Sequence, residues 1–306
     1  MFATWIIAGA LASQPISAGA LAGTIDRPGG KTEAVVLILP GSGPTDRDGN
    51  NPLGVTAAPY KMLAEGLAAK GIATVRIDKR GLFGSKAAIA NPNDVSFADY
   101  AADTAAWVAA ARAATGARCI WLAGHSEGGL VALRSAKQKD VCGLILISSP
   151  GRPMAAILRE QLSANPANAP LLPDAERVLA SLEAGKTIDV SGMHPALAKG
   201  LFNPAVQPFL IDMMRQDPVA ELRGYKGPVL VISGAEDIQV GKADADALAA
   251  SRAGVSQDRI AGMNHVLKSV PAGDKAANLA AYGDSSKPLA PGLVEAIANF
   301  VKGGGK

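Results

Sequence analysis

The chain has 306 residues, of which 48% are apolar and only 4% aromatic, enough for one large α/β domain with an insertion or for two small domains. Its 30 basic and 27 acidic residues leave a net charge of +3, and no dense Lys/Arg stripe is present, so nucleic acid is not an expected partner. No apolar run reaches the length of a membrane-spanning helix, and neither Cys119 nor Cys142 has a cysteine or histidine at metal-ligand spacing, so neither a membrane span nor a metal is expected.

The N-terminal run "MFATWIIAGALASQ" carries Ala10-Leu11-Ala12 before Ser13, like the end of a signal peptide. It lacks a basic leading region, and its apolar part is short. Residues 1–15 therefore read either as a signal remnant or as a buried N-terminal extension. A cytoplasmic chain is slightly favoured, and export remains open if residues 1–12 are a signal remnant.

From residue 34 onward, short Val/Ile/Leu-rich runs alternate with helical patterns. The runs are Ala34–Leu39, Ile72–Ile77, Ile120–Ala123, Leu144–Ser148 and Val229–Ser233. They do not alternate apolar with polar, so both faces of each strand must be covered. Helical patterns span Ala58–Gly71 and Phe97–Gly116, each stopping on glycine, and a third follows Gly128. This alternation predicts a mostly parallel, twisted sheet flanked by helices. Residues 150–218 break it, holding nine of the chain's 20 prolines and short helical pieces. They read as a helical cap inserted into a core of residues 16–149 and 219–302. A last helix is predicted over Gly292–Lys302, with Leu293, Ile297 and Val301 on one face.

Cys119 and Cys142 each lie seven residues before a strand-end serine, on neighbouring predicted strands. That placement allows them to be close in space, and buried free thiols are the expected state. A disulfide would require an oxidising compartment.

The chemistry concentrates in "LAGHSEGGL", residues 122–130. Gly124, Ser126 and Gly128 follow a strand and open a helix, the context of a nucleophile elbow. A serine there needs a base, and the chain offers three histidines. His125 adjoins the serine and points away from it, so it should pack beside the elbow. His194 falls in the Pro-rich insertion. His265, in "GMNHVLK" after a candidate last strand near Arg259–Ile260, follows the chain order serine, acid, histidine. The acid then falls in "VLVISGAEDIQV", where Asp237 is favoured and Glu236 is read as a solvated neighbour. Oxyanion donors are expected from the backbone N–H groups of Glu127 and of Ser42, the latter in "LILPGSGPTDRDGN". A glycine-rich phosphate loop is the alternative there, without the Gly-Lys-Ser/Thr ending. Asp78 and Arg80 read as ion-pair ties between loops, and Asp46, Arg47 and Asp48 as a charged brace.

On these motifs the chain resembles an α/β-hydrolase over about Ile16 to Val301. More narrowly, "GSGPTDRDGNN" with "LAEGLAAKGIATVRIDKRG" is similar to bacterial serine carboxylesterases of the serine aminopeptidase-like branch. The resemblance implies ester hydrolysis through an acyl-enzyme under a helical cap. It assigns Ser126 as nucleophile, Asp237 as acid, His265 as base, and Ser42 and Glu127 as oxyanion donors. Many relatives carry His-Gly before the oxyanion residue, whereas this chain has Pro40-Gly41, which leaves open what braces the loop. Met154, Leu158 and Met213 of the cap are candidate acyl-site residues, although packing of the cap is the plainer role for most of its apolar side chains. The expected substrate is a small ester, with no cofactor. A thioesterase or serine peptidase on the same triad is the alternative, and a non-catalytic ligand-binding member of the fold a more distant one.

Overall fold

A computed structural model describes residues 11–305. Most of the signal-like N-terminal segment, residues 1–10, lies outside them. Eight strands form one sheet. They are β1 (Ala12–Ala18), β2 (Leu21–Arg27), β3 (Ala34–Leu39), β4 (Ile72–Ile77), β5 (Ile120–His125), β6 (Val141–Ile147), β7 (Val229–Gly234) and β8 (Val255–Ile260). Their spatial order is β1-β2-β4-β3-β5-β6-β7-β8. The strands from β3 to β8 run parallel to one another. At one edge β2 joins β4 antiparallel and carries β1 as a hairpin. Strand β1 takes in Ala12–Pro15, which precede the expected start of the core at Ile16.

Parallel neighbours need crossovers, and helices supply them. After β3 comes α1 (Pro59–Ala69), after β4 α2 (Phe97–Thr115) and after β5 α3 (Glu127–Ser135). Helix α2 starts on a capping box, with Ser96 and Asp99 each accepting the other's backbone N–H, and stops where Gly116 turns left-handed at φ 72°. Between β6 and β7 the chain inserts α4 (Met154–Ser163), α5 (Leu172–Glu183), α6 (Gln207–Met214) and α7 (Pro218–Arg223). Helix α8 (Lys242–Ala250) follows β7, and α9 (Lys275–Ala280) and α10 (Leu293–Lys302) follow β8.

Two apolar layers result. Leu37, Trp107, Leu122, Leu130, Leu146 and Leu248 belong to the core on one face, continuous with the buried side chains of α4 to α6. On the other, Val36, Leu63, Ile145 and Ile232 pack under α1 and α10, where Leu293, Ile297 and Val301 are buried as expected. Every loop that follows a parallel strand emerges at the same sheet edge, where open α/β sheets bind their ligands.

The two cysteines depart from the sequence expectation. They form a disulfide, with Cα atoms 5.1 Å apart. The reason is register. Ile120 pairs with Val141, and the ladder shifts by one residue before Trp121 meets Gly143, which brings Cys142 beside Cys119 at the sheet edge opposite the loops.

Candidate active site

The serine turn forms because β5 stops at His125 and α3 starts at Glu127, leaving one residue to reverse direction. Ser126 takes up that reversal at φ 52° and ψ −123°, a conformation costly for any residue with a Cβ. Its N–H is held by the Ile147 carbonyl of β6 (3.0 Å) and its carbonyl by the Gly129 N–H (2.9 Å). Gly128 is fixed by close approach, since a Cβ there would collide with the backbone carbonyl of Leu39. The start of α3 therefore lies directly on the loop that follows β3. The first N–H groups of a helix have no partner within it, and that of Glu127 makes no other hydrogen bond among the described residues.

His265 lies in the loop after β8, with its side chain 7% exposed. Its Nδ1 donates to Asp237, 2.9 Å from Oδ2 and 3.1 Å from Oδ1. Asp237 Oδ1 also accepts the Gln239 and Val240 N–H groups at 2.8 and 2.9 Å. Burial would push this carboxyl up, but His265 and the two backbone donors outweigh it, leaving Asp237 below its ordinary value and ionised. Glu236 takes another part. Its carboxylate accepts the Gly273 N–H (2.9 Å) and its carbonyl accepts from Asn278 (2.6 Å), tying the acid loop to the start of α9.

His265 lies against His125, the residue that precedes Ser126. The His125 and His265 rings have centroids 4.9 Å apart, and His125 Nε2 donates to the His265 carbonyl at 2.8 Å. No hydrogen bond joins the Ser126 hydroxyl to His265 among the described residues; such contacts commonly close only around a substrate. His125 also meets the Tyr60 hydroxyl through Nδ1 (2.7 Å). With both ring nitrogens occupied, burial and the neighbouring His265 push its pKa down to about 3. It packs beside the elbow, as the sequence suggested. His194 lies apart on the exposed surface of the insertion, where its Nδ1 accepts the Ala196 N–H.

The loop after β3 lies against the serine. A Cβ at Gly41 would stand 3.3 Å from His125 Nδ1 and 3.4 Å from Ser126 Cβ. Ser42, exposed, makes no hydrogen bond through its N–H among the described residues. The brace left open by Pro40-Gly41 is now visible. The Gly41 N–H donates to the Tyr60 hydroxyl (3.0 Å), and the buried Lys79 amine donates to the Gly41 carbonyl (2.9 Å). Neither residue announces itself in the sequence. Tyr60 reads as an apolar helix position, and Lys79 as one charge in the row Asp78-Lys79-Arg80. Of the other charges, Arg47 and Asp78 tie loops as expected, whereas Arg80 reaches helix α2 and Asp48 reaches the strands β2 and β4. Arg47 meets Asp78 at 2.6 Å, Arg80 pairs with Asp103, and Asp48 joins the buried Arg76–Asp26 pair. Asp46 caps its own turn through the Asp48 and Asn50 N–H groups.

The candidate acyl-site residues are well covered. Met154, Leu158 and Met213 are 8%, 7% and 4% exposed and pack within the core that α4 to α6 share with the sheet. Among the described residues no group of His, Cys, Asp and Glu side chains is placed to hold a metal ion, and no helix is long and apolar enough to cross a membrane.

The model of the alpha/beta hydrolase family matches residues 35–281. Esterase EstD of Thermotoga maritima is 27% identical over 225 residues, which cover 72% of this chain and 50% of that protein. The chain thus spans about half the length of the curated relative it matches. A thermophilic esterase from Thermogutta terrifontis has a similar structure, with TM-score 0.55 and 18% identity, over 96% of this chain and 100% of that one. The proline iminopeptidase of Mycobacterium smegmatis gives 0.53 and 16%, over 83% and 92%. At these identities the two structures speak to the fold alone.

Proposed function

The chain belongs to the alpha/beta hydrolase family, and on that premise we propose that it is a serine hydrolase cleaving small or medium carboxylic esters through an acyl-enzyme. Ser126 Oγ attacks the ester carbonyl while His265 Nε2 takes its proton. Charge develops on the carbonyl oxygen and is met by the N–H groups of Ser42 and Glu127, each contributing on the order of 3 kcal/mol to the barrier reduction. The intermediate collapses, His265 returns the proton to the leaving alcohol, and the acyl group stays on Ser126. Water then attacks with His265 again as base, releasing the acid. Asp237 keeps Nδ1 protonated, so that Nε2 faces the serine as acceptor, and it stabilises the imidazolium formed.

The observation that carries this reading is the Asp237–His265 hydrogen bond held beside a serine of strained backbone. Residues 150–218 are the cap in this account, set in a core of residues 16–149 and 219–302. Met154, Leu158 and Met213 govern substrate size through the packing of that cap.

A peptidase on the same machinery needs a free carboxylate for the substrate amine. The acids of the insertion are engaged elsewhere. Glu160 binds Arg152 through two contacts of 2.6 and 2.7 Å, Glu183 binds Arg159 at 2.6 Å, and Asp174 faces Arg177 at 3.4 Å. This favours the ester. The test compares p-nitrophenyl butyrate with an aminoacyl p-nitroanilide. Turnover of the ester, absent in a folded Ser126→Ala variant, is expected. Anilide cleavage without ester cleavage would move the assignment to a peptidase. Hydrolysis unchanged in Ser126→Ala would remove the mechanism.

A further inference from the structure

We propose that Lys79 and Tyr60, backed by the Glu127 carboxylate and His125, are positioning residues that aim and strengthen the Ser42 oxyanion donor. The proposal rests on the ester-hydrolase reading above. The Gly41 carbonyl and the Ser42 N–H belong to one planar trans peptide, so they point in opposite directions. Whatever grips that carbonyl from inside the protein turns the N–H outward. The Lys79 amine grips it at 2.9 Å. A cation on a carbonyl oxygen also draws electron density from the nitrogen of the same peptide, which makes its N–H a stronger donor.

The amine is held for this task. Lys79 and Glu127 side chains are 7% and 3% exposed and meet at 3.1 Å. The face of Tyr100 lies 5.5 Å from the amine. Burial works to lower the Lys79 pKa, yet the Glu127 carboxylate leaves it above its ordinary value, so the amine stays cationic. Burying such a pair gives little net stability over apolar side chains of similar volume. Stability alone does not account for it, whereas the third contact, to Gly41, does. Glu127 thereby serves twice. Its N–H is one proposed oxyanion donor, and its carboxylate holds the lysine that orients the other.

The preceding peptide is held as well. The Gly41 N–H donates to Tyr60 Oη at 3.0 Å. The tyrosine proton then goes to His125 Nδ1 at 2.7 Å, and His125 Nε2–H goes to the His265 carbonyl at 2.8 Å. A carbonyl can only accept, so one assignment of protons satisfies the whole row. The row runs from the oxyanion loop, past the serine, to the loop of the base. It takes over the bracing that relatives with His-Gly obtain from an imidazole.

The experiment measures kcat and KM on p-nitrophenyl butyrate, and the inhibition constant of an aryl trifluoromethyl ketone, whose hemiketal carries the oxyanion. The variants are Lys79→Met/Glu127→Met, which removes both charges at similar volume, and Tyr60→Phe. In the double variant kcat should fall about 10- to 100-fold, short of the loss of a whole donor. KM should change less than twofold, and ketone affinity should fall by the same factor as kcat. Tyr60→Phe should show the same parallel loss at about 10-fold, and it keeps the ring should the double variant fail to fold. A merely structural role would reduce the active fraction while leaving the ketone constant of the remainder unchanged. That result, or folded variants equal to wild type, would overturn the proposal. Wild-type protein that neither hydrolyses the ester nor binds the ketone would instead take away the ester-hydrolase premise, and the proposal with it.

Discussion

Two histidines with rings 4.9 Å apart are given opposite tasks by their surroundings. His125 is buried with both nitrogens engaged, and its pKa is pushed down to about 3. An unfolded histidine titrates near 6.5, so between about pH 3 and 6.5 the unfolded chain binds the extra proton. Stability should therefore be full above about pH 6.5 and fall as pH drops through this window, with a slope approaching ~1.4 kcal/mol per pH unit from this group. Urea midpoints from pH 4 to 7 should fall more steeply for wild type than for His125→Asn; parallel curves would contradict the assignment. Among the described residues the His265 ring bonds through Nδ1 alone, and Asp237 fixes which nitrogen that is. In Asp237→Asn, kcat should drop by about 10⁴ through loss of the correct tautomer, with KM little changed. A loss below tenfold would show that the carboxylate does not orient the base. The Asp237–His265 pair of the candidate site was legible because three histidines leave few choices and chain order ranks them. Tyr60 and Lys79 were not legible. Their roles arise from contacts with Gly41 across 19 and 38 residues, and no local pattern encodes such distances.

The elements most visible in the sequence are those buried on both faces. Strands β3 and β4 lie where their Val/Ile-rich runs predict, because continuous apolar character is what a doubly covered strand requires. Strand β1 escaped because it is the edge strand, largely exposed and composed of Ala, Ser, Gln, Pro and Ile, while β2, covered between β1 and β4, interrupts its apolar residues with Gly, Thr, Asp and Arg. Edge position removes the apolar signal along with the burial. The start of the α4–α7 segment depends on polar contacts that sequence reading also missed. Asp244, fully buried at the start of α8, accepts the Gly151 and Arg152 N–H groups at 3.1 Å each and the Arg152 guanidinium at 2.8 Å. Asp244→Ala strands the buried Gly151 N–H and should cost about 2 kcal/mol in urea unfolding, whereas Asp244→Asn, which retains an acceptor oxygen, should recover part of that loss. An alanine variant as stable as wild type would show that this anchor is dispensable.

For the molecule as a whole, the two sheet edges divide the work. At one edge, the loops after β3, β5, β7 and β8 assemble the candidate site. At the other, the Cys119–Cys142 disulfide closes a loop of 23 residues' separation and staples β5 to β6. The chain-entropy model assigns such a loop roughly 3 kcal/mol. Reduction should lower the unfolding midpoint of wild type accordingly, leave Cys119→Ala/Cys142→Ala unmoved, and leave kcat at 25 °C nearly unchanged in both. A midpoint unaffected by reductant would contradict the staple. The pairing itself needed the register shift at Ile120–Trp121, which is set by the packed sheet and is not written in either strand. Catalysis by this route requires activation of Ser126 by His265, which is open to direct measurement. A fluorophosphonate probe, with peptide mapping by mass spectrometry, should modify the peptide containing Ser126 in wild type. It should label at least 100-fold more slowly in a folded His265→Ala variant. Label on a different residue, or equal rates in the two proteins, would contradict the account.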